Sequence, residues 1–461
     1  MIEAVLRLAT ERLVRWADAP GRRPLLVRGA RQVGKTWLVA DFARGRFPTG
    51  PVTVDLEVRR DLHSVFAGDL SAARVLSDLE LALGRRIVPG EDLLFLDEIQ
   101  ACPRAIMALR SFFEELPELH VVAAGSLLEF AVGEASFPVG RVEYLWLYPM
   151  SFAEFLSAVG NGVAAGVVRG GPQPLSEASH ATLLTLLGDY LRVGGMPAAV
   201  AAYTAGGSML EASHVHDLLV TSFRDDFARY RPRVSPDTLD DVLTLTARSV
   251  GSQLKYARLA PHATGPTAKS AFGVLERAQL VSRVGAVSRC GLPPAVRAGH
   301  RFKAIVLDVG LMQRLAGIPM DVQVGKHDLL AIHNGAVAEQ FVGQELRSCG
   351  GEGSEDLHYW SRAKGAAEVD YVMRAGATVM PVEVKSGPAG RLRSLHQLLL
   401  DQPECAPGVV LSEAPYAELP EQGLVFCPLY FAGSLGRSAF AASATDAARP
   451  RPSTPGSASS A

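Results

Sequence analysis

The sequence predicts an α/β protein in three parts: a parallel-sheet domain, a mainly helical middle, and a second α/β domain near the C-terminus. Three observations predict it. Short apolar strands alternate with helical stretches through residues 1–160. A glycine-bounded loop joins the first of these strands to a helix. Further on, three strand-like segments follow one another between two helical segments.

Each element has its own signal. Met1–Trp16 sets Val5, Leu8, Leu13 and Trp16 at helical spacing, and Ala19-Pro20-Gly21 ends that helix. Pro24–Gly29 reads as a buried strand entering a glycine loop, and Lys35–Phe42 as the helix leaving it. Val52–Leu56 alternates apolar residues with Thr53 and Asp55, as a strand does. Ser71–Leu83 reads as a helix, Leu93–Leu96 as a wholly apolar strand, Arg104–Leu116 as a helix and His120–Ala124 as a strand. Strands this apolar are covered on both faces, and their alternation with helices implies parallel crossover connections.

The Gly/Pro/Ala-rich stretch Val159–Ser179 marks a boundary. Beyond it, Ala181–Val193, His216–Tyr230, Thr238–Val250 and Thr267–Ala278 read as helices. The strand Leu280–Val284 follows, an order that suits a small winged-helix-like module. Phe302–Leu307 reads as a strand and Val309–Leu315 as a helix. Ala336–Leu346 is an amphipathic helix, followed by strands Leu357–Trp360, Glu368–Met373 and Val379–Val384, helix Leu392–Leu400 and strand Gly408–Ser412. Domains are therefore expected at 1–160, 180–325 and 330–435. The Ala/Ser/Pro-rich tail 441–461 has no hydrophobic pattern and is expected to be disordered.

Composition narrows the function classes. A formal net charge of −2 over 461 residues gives no global attraction to nucleic acid or to an anionic membrane, so a nucleic-acid surface has to be a local patch. No apolar run reaches the length needed to span a bilayer. The five cysteines are scattered without a CxxC pair, which argues against a disulfide framework or structural zinc and suits the reducing cytoplasm.

The strongest chemical signal is Gly29-Ala30-Arg31-Gln32-Val33-Gly34-Lys35-Thr36, which fits G-x-x-x-x-G-K-[ST] between a strand and a helix. Glycines at both ends let backbone N–H groups close around phosphate oxygens, and the helix start adds its positive dipole end. Lys35 then supplies a point charge to the β- and γ-phosphates of ATP, and the Thr36 hydroxyl a ligand to Mg²⁺. The apolar strand Leu93–Leu96 ends in Asp97 and Glu98. Asp97 is expected to hold the Mg²⁺ hydration shell and Glu98 to orient and deprotonate the attacking water. Ser126, at the end of the next strand, is either a γ-phosphate sensor or a satisfied loop serine. Arg141 is either a charge-stabilising arginine, acting in cis or from a neighbouring subunit, or a surface ion-pair partner.

These motifs resemble a bacterial and archaeal family of AAA-type ATPases that carry a C-terminal domain of unknown function. The likeness runs through Gly29–Thr36, Leu93–Gln100, Ala124–Phe130, Pro138–Arg141 and Tyr148–Phe155, and continues in Gly194-Gly-Met-Pro197 and Phe302–Gly310. It implies Walker B roles for Asp97 and Glu98 and a sensor role for Ser126.

Near the C-terminus, Asp370 lies in Glu368-Val-Asp-Tyr-Val, and Glu383 and Lys385 lie in Pro381-Val-Glu-Val-Lys-Ser. Side chains two apart on a strand share a face, so Glu383 and Lys385 point together, and Asp370 joins them if the two strands pair. Glu339, on the preceding helix, adds a third carboxylate. Two carboxylates suit Mg²⁺, and a neighbouring lysine can stabilise charge on a phosphodiester. The set resembles the PD-(D/E)xK signature of the restriction-endonuclease-like fold, with Val369 where the signature has proline.

In the middle region Lys269, Arg277 and Arg283 form a sparse basic set, open to DNA docking or to a packing or protein-contact role. Asp225, Asp226, Arg229 and Arg231 are expected to form a solvated ion-pair face. Two functions are then in play. One is an ATPase cycle controlling a nuclease-like domain that acts on or binds DNA or RNA. The other is a nucleotide-gated module that contacts another protein, in which the nuclease-like fold is catalytically inactive. Sites of this type are often completed between subunits, so a homo-oligomer is expected as well.

Overall fold

The computed structural model describes residues 7–126, 138, 140–228, 230, 234–291, 294–297, 299, 301–318, 335–349, 357–362, 367–375, 378–387, 392–405 and 407–435. The expected tail, and Leu127–Phe130 of the motif quoted above, lie outside these residues. The chain forms two compact units, each built from three stretches: 1–165, 188–283 and 304–324 in the first, and 166–187, 284–303 and 325–461 in the second. The middle region 180–325 is thus divided between them.

In the first unit, α1 (Ala9–Asp18) precedes β1 (Leu25–Arg28), and α2 (Lys35–Arg46) leaves the glycine loop. Then come β2 (Pro51–Asp55), α3 (Ala72–Leu83), β3 (Leu93–Asp97), α4 (Pro103–Glu115), β4 (His120–Ala124) and β5 (Glu143–Trp146). The strand order is β2-β3-β4-β1-β5, every pair parallel. Every residue of β3 and β4 is buried, as their apolar composition predicts. Leu26, Leu94, Leu96 and Val121 pack with Phe66, Leu79, Leu109 and Phe112 of the covering segments. β1 lies between β4 and β5, so the strand order reverses beside it, the place at which open parallel sheets bind ligands. The sequence pattern does not mark the fifth strand; Tyr144 and Trp146 give it the aromatic content of a strand, but Tyr148-Pro149 directly after it reads as a loop.

Next come α5 (Phe152–Ala158), α6 (Gly162–Gly170) and α7 (Glu177–Val193), the last two spanning the division between units. A capping box starts α5: the Ser151 hydroxyl accepts from Glu154 N, and the Glu154 carboxylate accepts from Ser151 N. The first unit continues with α8 (Pro197–Gly206), α9 (Met209–Phe227), α10 (Pro236–Arg248) and α11 (Gly265–Arg277). β6 (Val281–Arg289), β7 (Ala295–Val296), β8 (Lys303–Val306) and α12 (Val309–Ala316) follow.

Gly194-Gly-Met-Pro197 now has a physical account. Asp308 is fully buried at the N-cap of α12; its Oδ1 accepts from Gly310 N and Leu311 N, and its Oδ2 accepts from Gly195 N at 2.6 Å. Met150 N donates to Gly195 O at 2.6 Å, and a Cβ on Gly195 would lie 2.0 Å from Met150 O. Only glycine lets three segments of chain meet this closely.

The second unit runs α13 (Ala336–Cys349), β9 (His358–Ser361), β10 (Glu368–Ala375), β11 (Thr378–Val384), α14 (Arg393–Asp401), β12 (Gly408–Ser412), β13 (Ala417–Leu419) and β14 (Leu424–Pro428). β10 is antiparallel to β9 and β11, β12 is parallel to β11, and β14 is parallel to β12. Trp360, Val369, Val372, Leu395, Leu398 and Val410 fill one core. The strand read as the start of a wing runs on to Arg289 and pairs parallel with β9 at Gly285–Val287, so its far half belongs to this sheet.

Candidate nucleotide site and C-terminal carboxylate cluster

The phosphate loop is shaped by three positive φ angles: 148° at Gly29, 65° at Gln32 and 93° at Gly34. A Cβ on Gly29 would lie 2.2 Å from Leu147 O, so the loop can pass under β5 only as glycine. The Lys35 ammonium is buried and donates to Gly29 O at 3.1 Å and Ala30 O at 2.8 Å, which holds it across the inside of the loop. Thr36 Oγ1 donates to Asp97 Oδ2 at 2.7 Å. Burial raises the Asp97 carboxyl above its ordinary range, opposed by hydrogen bonds from Thr36 and from Glu98 N. These two hard oxygens at the head of α2 are the type of pair Mg²⁺ takes, so the residues fit that ion.

Glu98 follows with φ 46°, a left-handed conformation unusual for a side chain of its size. Its Oε2 accepts from Gln100 Nε2 at 2.5 Å and from Ser126 Oγ at 3.5 Å. Among the described residues, three non-glycines have positive φ, and two of them, Gln32 and Glu98, lie at this site. Strain concentrated in this way accompanies groups held for chemistry.

Two flanking contacts tie the loop to the rest of the first unit. Arg7 is buried; it donates to Val33 O at 3.1 Å and to Tyr148 O at 2.7 Å, and pairs with Glu154 at 3.0 Å. From the other side, α9 presents Asp226 to Arg31 at 3.1 Å and Ser222 to Gln32 at 3.2 Å. The expected solvated face is therefore corrected at Asp226: the carboxylate is buried against the phosphate loop because Ser222 and Asp226 lie one helical turn apart on the side of α9 that faces it. Arg229 and Arg231 lie outside the described residues. Arg141 sits on the surface and pairs with Glu114 at 2.8 Å rather than with any group of the phosphate loop, so the reading of it as a cis-acting arginine is not supported.

In the second unit, Glu339 and Asp370 gather around a lysine, and Glu383 pairs with Lys385. Lys303 Nζ lies 2.7 Å from Glu339 Oε1, 2.7 Å from Glu368 Oε1 and 3.0 Å from Asp370 Oδ1, with 2% of its side chain exposed. Asp370 Oδ2 accepts from Val384 N at 2.9 Å across the antiparallel β10–β11 pair. Lys385 donates to Glu383 Oε1 at 2.6 Å, while Glu383 Oε2 is buried with no hydrogen-bond partner. Burial by itself would lower the Lys303 ammonium, but Asp370, Glu339 and Glu368 together hold it well above its ordinary value. Burial and then the Asp370 charge push the Glu339 carboxyl up to about 8 and the Glu383 carboxyl up to about 7. Four carboxylates against two ammonium groups leave excess negative charge, which proton uptake relieves. Lys303 sits among Glu339 Oε1, Glu368 Oε1 and Asp370 Oδ1, and Val384 N holds Asp370 Oδ2, so these carboxylates are gathered on an ammonium group. As arranged, the cluster does not fit a bound metal.

Residues 21–156 match the family model described as an AAA domain. Residues 184–321 and 334–430 match two models described as domains of unknown function, DUF8612 and DUF4143. No curated protein matches the chain. Among solved structures, the ORC2 protein of Aeropyrum pernix, in ADPNP and ADP complexes, aligns at 13% identity over 69% of this chain and 94% of its own, with a TM-score of 0.35. RuvB of Thermotoga maritima aligns at 16% over 60% and 86% (TM-score 0.28), and AMPPCP-bound DnaA of Aquifex aeolicus at 13% over 60% and 89% (TM-score 0.28). None of these likenesses is close enough to speak for function. Among the described residues, no helix is long and apolar enough to cross a membrane.

In the matched segment sequence reasoning missed Gln100, which donates to Glu98, and ahead of that segment it missed Arg7, which reaches the loop. Lys303 was missed as well, and Asp226 was read as part of a solvated face. Glu368 was within reach, since it stands two residues before Asp370 on the same strand.

Proposed function

We propose that the chain is a magnesium-dependent ATPase whose nucleotide cycle drives a conformational change through its AAA domain. The observation that carries this reading is the convergence of Thr36 Oγ1 on Asp97 Oδ2 at 2.7 Å, with Glu98 next in the chain and steered by Ser126 and Gln100. The loop amides and Lys35 bind the triphosphate; Thr36 and Asp97 would hold the ion, which would supply charge shielding to the phosphates. Glu98 takes a proton from the attacking water, and Ser126 and Gln100 keep its carboxylate aimed. Arg141, paired with Glu114 at the surface, is proposed to act on a neighbouring copy's phosphates in a homo-oligomer. The expected outcome is that Lys35→Ala abolishes ATP binding, whereas Glu98→Gln keeps binding and lowers the steady-state hydrolysis rate by about 10²–10⁴-fold. Calorimetric titration and phosphate release read the two separately. Normal hydrolysis by Glu98→Gln would remove that residue from the role of base.

The C-terminal order of helix, three antiparallel strands, helix and parallel strand supports a restriction-endonuclease-like reading, together with the acidic residues and Lys385 at adjacent strand ends. The nucleotide cycle is then proposed to control a domain acting on or binding DNA or RNA in the cytoplasm, with the helices before β6 as a winged-helix-like docking element. The engagement of Lys303 with the same carboxylates favours the second reading, a nucleotide-gated module that contacts another protein and whose nuclease-like fold is catalytically inactive.

A further inference from the structure

We propose that Lys303 is the resident cation of the C-terminal carboxylate cluster and stands in place of a divalent metal. This goes beyond the functional reading above and holds whether or not the domain meets nucleic acid, because it rests on the hydrogen-bond geometry of the cluster.

An ammonium group carries three N–H donors. Lys303 has three carboxylates within 3.0 Å, one from α13 and two from β10, so each donor has its own acceptor. With 2% of the side chain exposed, nothing of the ammonium is left for solvent or for a ligand phosphate. That separates it from a lysine that works on a substrate, a position Lys385 suits better with its side chain a quarter exposed.

The oxygen inventory points the same way. Asp370 uses Oδ1 on Lys303 and Oδ2 on Val384 N. Glu339 uses Oε1 on Lys303, and Glu383 uses Oε1 on Lys385. Glu383 Oε2 is the buried acceptor left without a partner. Magnesium or manganese gathers about six oxygen ligands, whereas the carboxylate oxygens facing Lys303 are turned to its three N–H donors. Lys303 therefore does for this fold what a metal would do: it lets carboxylates from a helix and a strand be buried side by side.

A buried cation of this type is costly to remove and easy to compete with only if its carboxylates are released. Deleting the ammonium should free Glu339, Glu368 and Asp370 to join Glu383, which together make a hard-oxygen donor set.

Manganese titration of the nucleotide-free full-length chain, counted by electron paramagnetic resonance, tests this. Wild type and Glu383→Gln are expected to bind the same number of ions, so that the cluster contributes none. Lys303→Met is expected to gain one site, about tenfold or more tighter than any cluster binding in wild type. That site is expected to disappear again in the Lys303→Met/Glu383→Gln double variant. One extra ion in wild type relative to Glu383→Gln overturns the proposal, as does a folded Lys303→Met that gains no site. If Lys303→Met does not fold, the comparison of wild type with Glu383→Gln still decides. Magnesium-dependent thermal stabilisation of wild type that is lost in Glu383→Gln would count against it in the same way.

Discussion

His120 shows how one buried side chain links stability to pH. It opens β4, faces Phe47 at 5.0 Å between ring centroids and Trp16 at 6.0 Å, and accepts from Arg22 at Nδ1 over 3.3 Å. Accepting that bond requires the neutral ring. Burial, and next the Arg22 charge, lower its pKa from 6.5 to about 4. The sign follows from linkage. Above pH 6.5 the ring is neutral folded or unfolded, and stability is complete; as pH falls from 6.5 towards 4, the unfolded chain takes up a proton that the folded one refuses, and stability is lost. Between pH 7 and pH 5 the expected loss is about 2 kcal/mol. Urea unfolding followed by tryptophan fluorescence should show it, and His120→Gln should flatten most of the dependence. An unchanged pH profile in that variant would mean that other groups carry the effect.

At the level of elements, the site is a meeting of segments far apart in sequence, and that decides how much of it the sequence displays. Gly29 to Thr36 is legible because both glycines, the lysine, the threonine and the helix start all lie within eight residues. Asp97 and Glu98 are legible because a buried apolar strand seldom ends in two adjacent carboxylates unless they hold an ion or a water. By contrast, Arg7 reaches Val33 from 26 residues away, Asp226 meets Arg31 across 195, and Lys303 meets Asp370 across 67. No periodicity records such contacts, since each partner looks locally like an ordinary surface charge. Gly194-Gly195 stands out in sequence without a reason; the reason is the joint with Met150 and Asp308 beside the loop, where Pro197 lies 3.6 Å from the position a Cβ on Gly34 would take. Gly195→Ala is expected to cost about 3 kcal/mol or more, because the clash is with backbone rather than with a side chain that can move. Thermal denaturation should register it, and a variant as stable as wild type would show that the joint has slack.

For the molecule as a whole, the two units interleave along the chain. The sequence suggests consecutive blocks because composition marks linkers, not which sheet a strand joins. The separately expected block 330–435 leaves out the part of β6 that pairs with β9 at Gly285–Val287, and also Cys290, whose N–H donates to Gln402 Oε1 at 2.7 Å. A fragment of residues 330–435 is accordingly expected to be poorly folded and aggregation-prone, while the same fragment supplied with a 280–303 peptide gains order. Amide exchange on both preparations would tell them apart, and a well-protected fragment by itself would mean that β6 is dispensable.

The same parallel pairing sets a waiting time during synthesis. Roughly seventy residues separate the two halves of the β6–β9 ladder, which at ribosomal speed is an interval of about 4–14 s with one strand made and its neighbour still unwritten. Through that interval the nascent chain carries an unsatisfied strand edge, an invitation to mispairing with its neighbours on a polysome. Slow translation over this stretch should therefore harm yield, and a co-translational holdase should help it.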